Sequence, residues 1–239
     1  MLPNPKLWGP PPRQKPHRYV AVTTVSHDGK VTDTYETRFG IRSVRFNPET
    51  GIYVNGEHVP LRGVNQHHDL GALGAAFNRR AAERQLESLQ EMGCNAVRMS
   101  HNPPAPELLE LTDRMGFLVL DEAFDVWERK KTPLDFHLIF PEWHEQDLRA
   151  LLRRDRNHPS VIIWSVGNET PVSDARNHFL GALAQEARDL DGSRLVSAAL
   201  NTATSNGPND ISIKDPLGAW LDVIGINTYN GWYGNGTLE

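Results

Sequence analysis

The sequence predicts an α/β chain built as a (β/α)8 TIM barrel, incomplete at about six βα units and preceded by the tail of a β-rich domain. Short apolar runs alternate with helical patterns of roughly 12 to 18 residues from Pro60 onward, the texture of βα units around a parallel sheet. Polar residues gather just after most of the apolar runs, where barrels carry their chemistry. The first sixty residues lack that alternation and read as hairpins.

The β-rich part opens after a proline-rich entry with Tyr19 to Val25, an Asp28-Gly29 turn and Val31 to Thr37. A strand from Ser43 to Asn47 leads to Ile52-Tyr53-Val54, and an Asn55-Gly56 turn returns as His58 to Leu61. So few strands do not make a stable sandwich alone. Residues 1–56 are therefore expected to be the end of a larger β-domain, and residues 57–239 the barrel.

Within the barrel the first strand is expected over Leu61 to Asn65, followed by a helix with Ala82, Leu86 and Leu89 on one face. The second strand is Ala96 to Ser100. The next helix is expected to start at Asn102 as N-cap, carry Leu108, Leu111 and Met115, and stop at Gly116. The third strand is Phe117 to Asp121, and a helix near Glu142 to Arg156 turns Leu148, Leu151 and Leu152 inward. The fourth strand, Val161 to Val166, is an almost unbroken apolar run, as a strand buried on both faces requires. A helix through Leu180, Leu183, Ala187 and Leu190 follows, and Leu195 to Ala199 and Val223 to Asn227 supply strands five and six. Barrels of this kind usually take about 250 residues. The last two strands are thus expected outside this chain.

Composition narrows the partners. With 38% hydrophobic and 23% charged residues the chain is globular in class, and a formal net charge of −5 argues against a nucleic-acid partner. No run approaches the roughly 18 apolar residues of a membrane span, and a single cysteine, Cys94, forms no internal disulfide. Localisation stays open between cytoplasm and export. A homo-oligomer is compatible with the sequence.

The strand ends carry Asn65, His67 and His68; Arg98, His101 and Asn102; Asp121, Glu122 and Asp125; Asn168 and Glu169; then Asn227 and Tyr229. Carboxylates, amides, imidazoles, a guanidinium and a phenol suit a neutral polyhydroxylated ligand with one bond to cleave by acid/base chemistry. A metal reading of His67, His68, Asp69 and His101 is disfavoured because adjacent strand residues point to opposite faces. No metal or cofactor is expected.

The segments LRGVNQHHD (61–69), NAVRMSHNPP (95–104), LTDRMGFLVLDEAFD (111–125), RDRNHPSVIIWSVGNET (154–170) and DVIGINTYNGWY (222–233) resemble successive barrel segments of glycoside hydrolase family 2. FGIRSV (39–44) and YVNGEHVPLRG (53–63) resemble its preceding immunoglobulin-like β-sandwich domain and the junction. The wording around Gln66 to Ala75 and His101 to Pro106 is similar to β-galactosidase members. The resemblance implies a retaining β-glycosidase with Glu169 as general acid/base, a role served by a carboxyl with raised pKa facing a second carboxylate about 5 Å away. It further implies that Asn168 meets the sugar 2-hydroxyl, that His67, Arg98 and His101 line the substrate site, and that Tyr229 and Trp232 complete it. In the family the nucleophile follows strand seven, so this chain is expected to be inactive alone. Two alternatives stand beside this reading. One is a β-glucuronidase of the same family, since residues 227–233 also resemble that branch; the other is a non-catalytic half-barrel that binds carbohydrate or assembles with another chain.

Overall fold

A computed structural model describes residues 2–207 and 210–229, which form two compact units. The first unit holds residues up to Ser100, Pro104–Asp121 and Arg154–Ile162; the second holds His101–Pro103, Glu122–Arg153 and the residues from Ile163 on.

In the first unit, β1 (Tyr19–His27) and β2 (Lys30–Phe39) make an antiparallel ribbon. Asp28 and Gly29 both have positive φ, 50° and 75°, the geometry that a tight two-residue hairpin needs. A second small sheet joins β3 (Val44–Asn47), β4 (Gly51–Val54) and β5 (Glu57–His58). Its Asn55-Gly56 turn again has positive φ at both positions. Then come β6 (Gly63–His67), α1 (Arg79–Glu91), β7 (Ala96–Ser100), α2 (Pro106–Met115) and β8 (Leu118–Glu122). The ladders are parallel: Asn65 pairs with Arg98, and Val97 with Val119. Asn78 caps α1 by accepting from the Ala81 amide, and the helix buries Ala82, Leu86 and Leu89 as its periodicity predicts. Fully buried Trp8 donates its indole N–H to the Asp113 carbonyl at 2.8 Å.

One helix starts later than expected. The cap of α2 is Ala105 and Pro106 takes the first turn, because the residue before a proline is pushed into extended backbone: Pro104 does this to Pro103 and Pro106 to Ala105, so no helical turn can begin before Pro106. Asn102 turns its amide to the Pro103 carbonyl instead. Gly116 closes α2 in the left-handed region, φ 81°. A Cβ there would come within 2.5 Å of Pro11 Cδ, so space as well as φ demands glycine.

The second unit contains most of α3 (Phe140–Asp155), then β9 (Val161–Asn168), α4 (Asp174–Leu190), β10 (Leu195–Leu200), the hairpin β11 (Ala203–Gly207) with β12 (Asp210–Ile213), and β13 (Val223–Ile226). Leu148, Leu151 and Leu152 are buried as expected, while Leu190 is only partly so. Every residue of β9 is buried, which fits its two-sided apolar run. β10 runs parallel to both β9 and β13. The six parallel strands follow the order β13-β10-β9-β8-β7-β6, an incomplete barrel in which each strand lies beside its predecessor in the barrel series. Among the described residues, no helix is long and apolar enough to cross a membrane.

Candidate active site

The second unit gathers a continuous polar network at the C-terminal end of β9. Ser165 pairs with Ser197 and Asn168 with Ala199, so three steps along β9 match two along β10. That extra residue is a bulge, a device that re-aims the side chains beyond it. Asn168 is thereby placed where regular alternation would have put Gly167. Glu169 follows with φ 46°, an uncommon conformation for a residue with a Cβ. Its amide donates to the Ala199 carbonyl at 2.9 Å.

This backbone turn lets two consecutive side chains meet one partner. Asn227, just past β13, donates through Nδ2 to Asn168 Oδ1 at 3.0 Å and to Glu169 Oε1 at 2.6 Å. The Tyr229 hydroxyl lies 3.4 Å from the same Glu169 oxygen, and Asn201 Nδ2 lies 3.4 Å from Oε2. Glu169 is half-buried and Asn168 is buried.

Asn168 is fixed from its other side. Its Nδ2 donates to Asp125 Oδ1 at 2.8 Å, and Lys131 Nζ donates to that oxygen at 2.7 Å and to the Asn168 carbonyl at 2.9 Å. With a carboxylate beside the nitrogen and an amide donor beside the oxygen, only one orientation of the Asn168 amide satisfies both. Burial alone would raise the Asp125 carboxyl, but the bonds from Lys131 and Asn168, with the charges of Lys131 and His101, outweigh it and hold the pKa below the ordinary carboxylate value.

A second, saturated cluster adjoins in the same unit. Glu122, fully buried at the end of β8, accepts from Ser165 Oγ at 2.6 Å and faces His101 Nδ1 at 2.6 Å. Both its oxygens are committed. The neighbouring Asp121 is buried too, but alternation along β8 turns it to the opposite face.

The expected site residues thus fall into three groups. Asn168, Glu169 and Tyr229 meet in one network, and His101 sits on the adjoining Glu122. His67 and Arg98 belong to the first unit, where His67 is exposed on β6 and Arg98 Nη1 is 3.5 Å from Asn65 Oδ1. Trp232 lies outside the described residues. Among the described residues no group of three or more His, Cys, Asp or Glu side chains could hold a metal ion.

The profile of the family described as "Glycosyl hydrolases family 2, TIM barrel domain" matches residues 47–239, and that of "Glycosyl hydrolases family 2" matches residues 1–42. The chain belongs to glycosyl hydrolases family 2. Among its family 2 relatives, the beta-galactosidase BoGH2A of Bacteroides ovatus is 43% identical over 95% of this chain and 30% of its own length. The human beta-glucuronidase is 31% identical over 97% of this chain and 35% of its own. A crystal structure of a family 2 member from Bacteroides cellulosilyticus superposes with a TM-score of 0.84 at 39% identity, covering 93% of this chain and 28% of that one. The chain spans about a third of the length of these relatives.

Two members of the network escape a sequence reading of the family 2 motifs. Lys131 stands in a loop with no strand or helix pattern, between the third strand and α3. Asn201 follows β10 directly, and that position behind a parallel strand is the signal by which it could have been found.

Proposed function

We propose that this chain is the acid/base-bearing part of a retaining β-glycosidase acting on terminal β-galactosides, with residues 1–56 the end of an immunoglobulin-like domain and residues 57–239 the first part of the catalytic barrel. The junction is supported by two family matches that meet between residues 42 and 47. The observation that carries the activity is the convergence of Asn227, Tyr229 and Asn201 on the carboxylate of Glu169, with Asn227 also bonded to Asn168. A carboxyl half open to solvent and held by neutral donors among the described residues can give a proton to a glycosidic oxygen and take one back from water. Asn168, with its amide orientation fixed by Asp125 and Asn227, meets the 2-hydroxyl, a contact that strengthens as the anomeric carbon becomes oxocarbenium-like.

Retention requires a second carboxylate about 5 Å from the first, and we assign that role to none of Asp121, Glu122 or Asp125. Glu122 is saturated by His101 and Ser165, Asp125 is tied to Lys131, and Asp121 belongs to the first unit. By the family resemblance His67, Arg98, His101 and Trp232 are also assigned to substrate binding. The galactoside preference rests on the similarity to the Bacteroides ovatus beta-galactosidase; the likeness to beta-glucuronidases makes a glucuronide the second substrate to try.

The test uses a protein comprising this chain and the remaining length typical of its relatives. It should hydrolyse 4-nitrophenyl β-galactoside in preference to the β-glucuronide. Glu169→Gln should cost about 10²- to 10⁴-fold in kcat on an alkyl β-galactoside. The loss should shrink on the nitrophenyl substrate, whose leaving group needs little protonation. Equal activity of the variant on the alkyl glycoside would remove Glu169 from the acid/base role, and inertness toward every β-glycoside would overturn the enzyme reading.

A further inference from the structure

The segment between β8 and α3 is closed without the side chain of Lys131. Phe124 near its start stacks on Phe136 near its end with ring centroids 5.8 Å apart, and Phe140 meets the Phe124 ring in a T-shaped contact at 5.3 Å. Phe124, Val126, Trp127 and Phe140 are all buried. Between these anchors Asp135 ties the turn. Its Oδ2 accepts from the backbone amides of Lys131 at 2.8 Å and Thr132 at 2.6 Å, and its Oδ1 accepts from the His137 amide at 3.0 Å. A loop with both stems and its turn fixed in this way presents a side chain from a set position. The Lys131 backbone is held, and its long side chain reaches outward.

What the ammonium reaches is the peptide that leads into Glu169, 37 residues away in the chain. Nζ donates to the Asn168 carbonyl at 2.9 Å, and on the same peptide plane the Glu169 amide donates to the Ala199 carbonyl, also at 2.9 Å. In a trans peptide the C=O and the N–H point in opposite directions, so the two bonds grip the plane from both sides. β10 holds one edge and Lys131 the other. Glu169 needs that grip, because its φ of 46° lies in the left-handed region, where a residue with a Cβ persists only if its surroundings over-determine it. Rotation of this plane would change φ and swing the carboxylate away from Asn227 Nδ2, now 2.6 Å from Oε1. The same Nζ donates to Asp125 Oδ1 at 2.7 Å, which keeps the ammonium in place as a charge-assisted donor to the carbonyl.

We propose that Lys131 is a positioning residue for the acid/base: a loop closed independently of its side chain brings the ammonium to the Asn168 carbonyl, and that bond fixes the peptide from which the Glu169 carboxylate is aimed at the glycosidic oxygen. The inference rests on the glycosidase reading above and adds to it a residue that acts through Glu169.

The experiment compares leaving groups. In the extended protein, Lys131→Met keeps most of the side chain's length and removes the donor and the charge. kcat/KM reports the step in which the glycosidic oxygen departs; an alkyl leaving group needs the proton of Glu169, whereas 2,4-dinitrophenolate leaves without one. The variant should lose about 3- to 5-fold on an alkyl β-galactoside, the range for one hydrogen bond, and almost nothing on the 2,4-dinitrophenyl β-galactoside. In the Glu169→Gln background, where no acid is left to aim, adding Lys131→Met should cost nothing further on either substrate. The urea midpoint should stay near that of the parent, because the contacts that close the loop remain. Equal losses on both substrates, or losses that multiply in the double variant, would overturn the proposal, since Lys131 would then act through the fold or through Asn168 alone. Full activity of Lys131→Met on the alkyl glycoside, with Glu169→Gln still crippled, would sink this inference and leave the glycosidase reading intact. Inactivity of the parent protein toward every β-glycoside would overturn both.

Discussion

The two ends of β9 carry polar networks made from the same kinds of residue and put them to opposite uses. At its N-terminal end, within the first unit, buried Asp113 accepts from His158 Nδ1 at 2.7 Å and from the Ser160 amide at 3.1 Å. Thr112 bonds the Ser160 hydroxyl at 3.0 Å, and Arg42 donates to the carbonyls of Pro159 and Val161. Both Asp113 oxygens are engaged and its side chain is 5% exposed. At the C-terminal end, among the described residues, Asp125 Oδ2 has no hydrogen bond and Glu169 Oε2 has one long contact, to Asn201. Aspartate and histidine in a cluster therefore say little by themselves. What separates a brace from a site is whether bonding capacity remains after the protein has satisfied itself.

The comparison can be broken by exchanging the consequences. Glu169→Gln should carry the largest effect, about 10²- to 10⁴-fold in kcat, with an unfolding midpoint close to that of the parent. Asp113→Ala should do the reverse. It strips the acceptor from the fully buried Ser160 amide and from His158, at a cost of about 3 kcal/mol in stability, while kcat per folded molecule is unchanged. Urea unfolding together with active-site-normalised kinetics would separate the two. If Asp113→Ala lost catalysis without losing stability, the division between brace and site would fail.

A smaller effect tests the grading within the site. Asn227→Ala removes the 2.6 Å donor to Glu169 and the donor to Asn168 together. About tenfold in kcat/KM is expected, near 1.4 kcal/mol, as for one hydrogen bond to a charged group. Little stability should be lost, because the carboxylate of Glu169 remains half-exposed and water can replace the donor. A loss as large as that of Glu169→Gln would move Asn227 from support to direct participation.

Much of the fold was legible because its signals are local. The apolar run Val161 to Val166 announces a strand buried on both faces, the Asp28-Gly29 and Asn55-Gly56 pairs announce turns with positive φ, and Ala82, Leu86 and Leu89 mark the inner face of α1. The start of α2 was misplaced because Asn102 is a good cap in isolation while the prolines after it keep the backbone extended up to Ala105. The β11–β12 hairpin escaped as well. Ala203 to Gly207 reads Ala-Thr-Ser-Asn-Gly, polar and without alternation, so nothing in it predicts a strand. For the site, Glu169 and its neighbours were named from motif wording. The bonds that organise them cross large gaps, 59 residues from Asn227 to Asn168 and 37 from Lys131 to the Asn168 carbonyl, and no local pattern encodes a contact of that range.

The smallest effect probes why one end of β9 tolerates a half-used carboxylate. Burial opposes the charge of Asp125, while the bonds from Lys131 and Asn168 and the charges of Lys131 and His101 favour it, leaving the pKa below the ordinary carboxylate value. A carboxyl with a lowered pKa stays ionised as the pH falls and loses its charge only on passing through that lowered value. Lys131→Met removes two of the favourable contributions and keeps the opposing burial, so the Asp125 pKa must rise. The acid limb of kcat/KM against pH should then move to higher pH. At pH 7 the two proteins should differ by only a few-fold, because Lys131 acts through Asp125 and the Asn168 carbonyl rather than by itself. An acid limb that does not move would mean that the charge of Asp125 does not reach catalysis through Asn168, and Asp125 would then be the solvated edge of a brace like the one built around Asp113.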